Sequence, residues 1–467
     1  MRFKFITALL SAAIALPATA QTIRPDQEAF RGLYKELVET NTTLSAGSCT
    51  LAAQKMAERL KVAGFAEGDI TLFSTPEHPR EGGLVAILKG SDAKIRPMLM
   101  LAHIDVVEAR REDWTRDPFT LIEENGFFYA RGTLDDKAQA AIYTDAMIRF
   151  KQQKYVPKRT IKLALTCGEE TTFAFNGAEW LTKNRPELIA AEFAINEGGG
   201  GVLDPSGKRV TLSMQVGEKA VQNYRVETTN PGGHSSRPVP DNAIYELAEA
   251  LGAVRTYGFP ITFTDTTRAF FTQTAATVGG EMGTAITKLL ANSADADADS
   301  IVSSNATYRS TSRTTCVATL LDGGHANNAL PQRAGANINC RIFPGETGET
   351  TRLALVKAIN NPKVSVTLTP PVRPLASPPL LDAKIMGPAV ALAKKYFPGV
   401  PVVPVMSTGA TDAIFLSAVG IPTYGVPGIF AEADFNGVHG LNERIRVRSL
   451  YEGRDYLFDL IKAYAAK

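Results

Sequence analysis

The pattern of apolar and polar positions alternates between two periods along most of the chain. Leu51 to Val62 has helical spacing and stops at Gly64; short strands follow at Ile70 to Phe73 and Leu84 to Leu88. Met98 to Ala102 is apolar throughout, as a central strand would be, and it delivers His103 and Asp105 at its C-terminal end. Lys137 to about Lys151 is a helix with Asp135 and Asp136 at its N-terminus. Ile161 to Phe173 is an alternating, β-branched-rich strand that empties into Glu169 and Glu170. A helix over Asn176 to Asn184 and a strand over Glu192 to Asn196 come next, and the strand ends in Glu197 and three glycines. Helices and strands in this order predict an α/β domain whose sheet carries helices on its faces.

In such sheets ligands gather outside the carboxyl ends of the strands. That is where the acids and His103 fall. Adjacent acids at a strand end allow two jobs, since one carboxylate can ligate a metal while its neighbour takes a proton from water. A solvated acidic turn is the plain alternative for Glu169 and Glu170. Helix-dipole partners are the alternative for Asp135 and Asp136. Near the other terminus, Gly409 lies in a glycine-rich turn into a helix with Asp412 near its start, and His439 and Glu443 occupy a polar loop before the last helix. The chain has only five histidines, so two among acids at element ends carry information.

A new alternating pattern begins near Glu218, and the proline-rich stretch around Val372 reads as a return linker. The predicted division is a signal peptide over 1–20, a catalytic domain over 21–217 and 373–467, and an inserted domain over 218–372. Helices at Asp241 to Leu251 and Glu349 to Asn360 suit a small sheet covered on one face. An enlargement from Ile261 to Arg313 includes the acidic run ANSADADADS, expected to be a solvated loop.

Composition narrows the function. The first residues carry Arg2 and Lys4, a short apolar core and a small-x-small end at Ala18 and Ala20, which predicts export, periplasmic or secreted, with cleavage before Gln21. No later apolar run is long enough to span a bilayer. The formal net charge of +2, with no basic block, leaves no footprint for nucleic acid. Four cysteines are not a disulfide framework. Cys167 reads as a buried strand residue, while Cys316 and Cys340 lie on neighbouring lid strands that one bridge could join.

The segments LAHIDVV, ARGTLDDK, CGEE, NEGGG, GGHSS, NALP, GATD and VHGLNE, in this order over nearly all of the mature chain, resemble the zinc metallopeptidases that include aminoacylase, glutamate carboxypeptidase, succinyl-diaminopimelate desuccinylase and Xaa-His dipeptidase. The resemblance implies a dinuclear-zinc catalytic domain with an inserted α+β lid. It implies two Zn²⁺ ions per chain, with Co²⁺ or Mn²⁺ as substitutes. Asp135 would bridge them, with Glu170 and His439 completing one site and His103 and Glu197 the other. Glu169 would be the general base, Asp105 would orient His103, and a cis peptide bond would join Asp135 to Asp136. From the lid, His234 would donate to the oxyanion, and Arg341 and Asn328, with Gly409 opposite, would hold the substrate's carboxylate and backbone. Family members commonly carry aspartate before the paired glutamates; here Gly168 stands in its place.

The implied reaction is metal-assisted hydrolysis of an amide bond in a short peptide, with N-acyl amino acids as the alternative substrates. A non-catalytic binding protein on the same fold would have lost a ligand or the base, and none is missing. The family's lid-to-lid dimers, in which His234 serves the partner's site, favour a homodimer; an enlarged lid that covers its own site is the other arrangement.

Overall fold

The computed structural model describes residues 24–171, 175–372, 374 and 377–466. The expected signal peptide, its cleavage point before Gln21, Phe173 and parts of the proline-rich linker lie outside the described residues. Among those described, a ten-stranded sheet forms the larger body, in the order Ile70–Phe73, Gly83–Leu88, Ile161–Thr166, Met98–His103, Phe193–Asn196, Thr423–Gly425, Arg209–Glu218, Gly199–Leu203 and Phe430–Ala431, with Val402–Ser407 also paired to Arg209–Glu218. Met98–His103 runs parallel to both of its neighbours. Every residue of that strand is buried. Its side chains alternate between two cores: Met98, Met100 and Ala102 join one face, Leu99 and Leu101 the other. Being covered on both faces is why the strand reads as an unbroken apolar run rather than an alternating one.

The helices Lys137–Gln152 and Val447–Ala465 cover the first face. Their burial includes Arg454, whose Nε lies 2.8 Å from Asp145 and whose Nη1 lies 2.7 Å from Asp26. Gly177–Asn184 and Ala413–Ala418 cover the second face.

Between Glu218 and Ala220 the chain leaves this sheet for a four-stranded antiparallel one, ordered Thr315–Gly323, Arg333–Ile342, Ala220–Thr229 and Val364–Thr369. Helices Ala243–Thr256 and Gly348–Ile359 pack on it through Leu247, Val254 and Leu355. The segment after the first of these helices is helical, contrary to the expected solvated loop around ANSADADADS. Ala296–Ser303 forms a helix capped by Asp295, whose side chain accepts from the Ala298 amide at 2.9 Å. Asp297 and Asp299 favour the positive end of the helix dipole, and Ala298 and Val302 are buried against Phe271, Ile286 and Leu289. The acids that suggested solvation are therefore cap and first-turn residues.

Cys167 is buried, as expected, and is bonded to Cys49; Cys316 is bonded to Cys340, so the chain carries two bridges where one was expected at most. The first pair joins residues 118 apart in sequence, and periodicity carries no signal for a contact of that range.

Candidate metal centre and catalytic cleft

Parallel strands end along one edge of the sheet, so the loops that follow them converge. His103 closes Met98–His103, Glu169 and Glu170 follow Ile161–Thr166, and Glu197 follows Phe193–Asn196. Asp135 enters from the loop before Lys137–Gln152, and His439 from the loop before the last helix, at φ +59°. The Asp135 carboxylate sits between the two imidazoles. Its Oδ1 is 3.1 Å from His103 Nε2 and its Oδ2 is 3.1 Å from His439 Nε2. His439 Nε2 is also 3.0 Å from Glu170, and His103 Nε2 is 3.7 Å from Glu197 Oε1. The Asp135–Asp136 peptide is cis.

Two observations test whether this group fits metal ions. Buried Oε1 of Glu197 has no hydrogen-bond partner among the described residues, although it points into a cluster of donors. The donor atoms of His103, Asp135 and Glu170, and separately those of His103, Glu169 and Glu197, lie within 4.8 Å of one another. Burial drives the Glu169 and Glu197 carboxyls well above their usual range. Burial also opposes the charge on His103, yet Glu197, Asp105 and Asp135 outweigh it and raise that imidazole. Hydrogen bonds to Asp135 and Glu170 raise His439 to about 10. Four carboxylates thus share this volume with two imidazoles. Such an excess of negative charge, carried by N and O donors, suits divalent cations of borderline character such as zinc.

Asp105 does more than was expected of it. His103 Nδ1 lies 3.1 Å from the Asp105 carbonyl and 3.6 Å from its carboxylate. The carboxylate itself accepts from the amides of Glu169, at 3.4 Å, and Glu170, at 3.0 Å. One acid therefore fixes both the imidazole and the turn carrying the glutamate pair. Gly168 opens that turn at φ +96°, where a Cβ would stand 1.8 Å from the Phe175 carbonyl. No aspartate fits this backbone at that position.

Two further residues have roles that their place in the sequence does not reveal. Glu443, fully buried, accepts from Arg131 Nη1, Gly132 N and Leu134 N, each at 2.8 Å, and from Asp135 N at 3.2 Å. It holds the loop that presents Asp135. Breaking a buried pair such as Arg131–Glu443 costs about 3–5 kcal/mol, far more than an exposed one. Asp412, also buried, accepts from Thr166 Oγ1 at 3.1 Å and Asn176 Nδ2 at 2.6 Å, and burial raises its carboxyl to about 6.

The lid residues divide. Arg341 and Gly409 wall a cleft of about 440 Å³ together with Asp135, Glu169, Glu170, Glu197 and His439. His234 and Asn328 do not line it. They sit together on a short exposed ribbon, Gly233–His234 paired with Ala329–Leu330, where Ser235 N donates to the Asn328 carbonyl at 3.1 Å.

The fold and this cluster define a metal-dependent hydrolase of amide bonds. Residues 99–463 match the Peptidase family M20/M25/M40, and the chain belongs to that family. It is 29% identical to the N-fatty-acyl-amino acid synthase/hydrolase PM20D1 of Homo sapiens over 448 residues, 93% of this chain and 87% of the relative. It is 26% identical to the probable carboxypeptidase S-like 2 of Dictyostelium discoideum, across 81% of this chain and 74% of the relative. The M20 family metallo-carboxypeptidase Sso-CP2 of Sulfolobus solfataricus shares the fold, with a TM-score of 0.68 at 19% identity, covering 94% of this chain and 99% of that one.

Proposed function

We propose that the protein is an exported dinuclear zinc hydrolase that cleaves the amide bond next to a residue with a free carboxylate, in a short peptide or an N-acyl amino acid. The observation that carries this reading is the carboxylate of Asp135 held between His103 and His439. His103 and Glu197 would hold one cation, Glu170 and His439 the other, and Asp135 both. Bound there, the cations supply Lewis acidity to the water and the scissile carbonyl. Glu169 takes the proton of the attacking water and returns it to the departing amine nitrogen. Asp105 keeps Glu169 and Glu170 in register through their amides. Among the described residues, Arg341 is the one arginine or lysine that lines the cleft, and it suits a carboxylate, which its planar fork can bind at two oxygens.

Export is supported by the N-terminal pattern and by two disulfides, which persist in oxidising compartments. The protein purified from an exporting host is expected to begin at Gln21 and to lose activity on chelation. Zinc is expected to restore it toward dipeptides or N-acyl amino acids. Restoration by no divalent cation, on any substrate of this panel, would sink the reading.

A homodimer through the lid completes it. Among the described residues, the edge strand Thr315–Gly323 pairs only with Arg333–Ile342, and it exposes Val317, Leu320 and Leu321, at 59%, 70% and 69%. Unpaired apolar edges of this kind attract another strand. His234, outside its own cleft, would then donate to the oxyanion in the partner's site. Mixing inactive His234→Ala chains with inactive Glu169→Gln chains is expected to restore a fraction of activity. No recovery after verified subunit exchange would show that each lid serves its own chain.

A further inference from the structure

Glu218 closes the strand Arg209–Glu218, the last of the catalytic sheet before the chain enters the lid, and it does not line the cleft. Its Oε2 nevertheless accepts three hydrogen bonds: from Thr411 N at 3.1 Å, Thr411 Oγ1 at 2.8 Å and Gln215 Nε2 at 3.0 Å. Its Oε1 is buried with no hydrogen-bond partner among the described residues. Burial pushes the carboxyl up to about 8, against the hydrogen bonds from Thr411 and Gln215 that lower it. At neutral pH the group is therefore mainly the uncharged acid, and what it offers its neighbours is an acceptor rather than a charge.

Both partners lead to Glu197, from opposite sides. Thr411 Oγ1 donates to Glu218 and accepts from Nδ2 of the buried Asn196 at 3.1 Å; Asn196 immediately precedes Glu197. Gln215, also buried, lies against Gly198, which immediately follows Glu197. A Cβ on that glycine, at φ +100°, would stand 2.3 Å from Gln215 Oε1. One carboxyl thus fixes the residue before the proposed ligand and the side chain packed on the residue after it. The next residue in the chain is tied down as well: Lys219 N donates to the Ser407 carbonyl at 3.1 Å, and Lys219 Nζ to the Ser310 carbonyl at 2.9 Å.

We propose that Glu218 is a positioning residue of the metal centre: acting through Thr411, Asn196 and Gln215, it holds the Glu197 carboxylate at the ion shared with His103. The proposal rests on the dinuclear-metal reading above and adds to it a residue that touches neither metal nor substrate. Groups that orient a metal ligand from behind contribute about 10- to 100-fold to metal affinity. Here the effect falls on one ion, because the Glu170 and His439 side of the cluster makes no contact with this network.

The test titrates zinc into the metal-free full chain in competition with a chromophoric chelator, which resolves the two binding steps. Glu218→Ala is expected to weaken one step by about 10- to 100-fold and to leave the other within about twofold. In a Glu197→Gln background the same change is expected to cost less than about twofold, since two changes that act on one ligand are not additive. Thr411→Val removes the hydroxyl between Asn196 and Glu218. It is expected to reproduce the selective loss, and it carries the test if the alanine variant does not fold. Glu218→Gln keeps the carbonyl acceptor and is expected to bind both ions within about threefold of the parent. A merely structural role would instead lower the unfolding temperature of the metal-free chain and weaken both steps alike. No loss, loss of the same size at both steps, additivity with Glu197→Gln, or a glutamine variant as weak as the alanine one overturns the proposal and leaves the dinuclear reading standing. A parent chain that takes up fewer than two ions overturns that reading, and the positioning role with it.

Discussion

Glu169→Gln is expected to keep its full complement of metal and to lose about 10²- to 10⁴-fold in kcat, the usual contribution of a positioned general base. Glu170→Gln is expected to lose metal instead. The two side chains leave one turn, and both of their amides are held by Asp105, so neither substitution disturbs the backbone that presents the other. What differs is the surroundings. Glu170 lies 3.0 Å from His439 Nε2, on the Asp135 Oδ2 side of the cluster. Glu169 stands in the His103 and Glu197 group, where burial raises its carboxyl. Glutamine keeps the shape and removes the basicity. Metal content by elemental analysis, measured beside single-turnover rates, separates the two roles. Equal metal loss in both variants would show that Glu169 is a ligand and that the base lies elsewhere.

The parts of this molecule legible in the sequence are those written in local pattern. Met98–His103 could be placed because a strand covered on both faces is apolar at every position, and His103 then falls at its end by counting. Glu197 and the glutamate pair follow for the same reason, since each closes a strand of the same sheet. The grip of Glu443 on the Asp135 loop was not legible. Its four donors come from residues 131–135, some three hundred positions away, and only the tertiary fold brings them together. Asp105 was read as a partner of His103, two residues away, while its stronger claim on the amides of Glu169 and Glu170 depends on how two strand ends meet. The helix Ala296–Ser303 was obscured by its own acids. Asp, Asn and Ser favour loops as readily as helix caps, and the choice here is made by the burial of Ala298 and Val302 against another helix.

Asp135→Asn is expected to remove at least one of two bound metal ions and, with it, nearly all activity, while the fold persists. A carboxylate that lies 3.1 Å from each of two imidazoles has one oxygen for each flanking position, and so can neutralise part of the charge of two cations at once. Asparagine offers a single neutral oxygen and replaces the other with a donor that repels a cation. The loop itself would survive, since Glu443 holds it through the Gly132, Leu134 and Asp135 amides rather than through the Asp135 side chain. Circular dichroism and thermal unfolding in the presence of chelator should therefore match those of the chelated parent, and elemental analysis after zinc saturation should fall from two ions to one or none. An Asp135→Asn variant that still holds two ions tightly would show that the cations do not share this carboxylate, and the flanking groups around His103 and His439 would then be two separate sites.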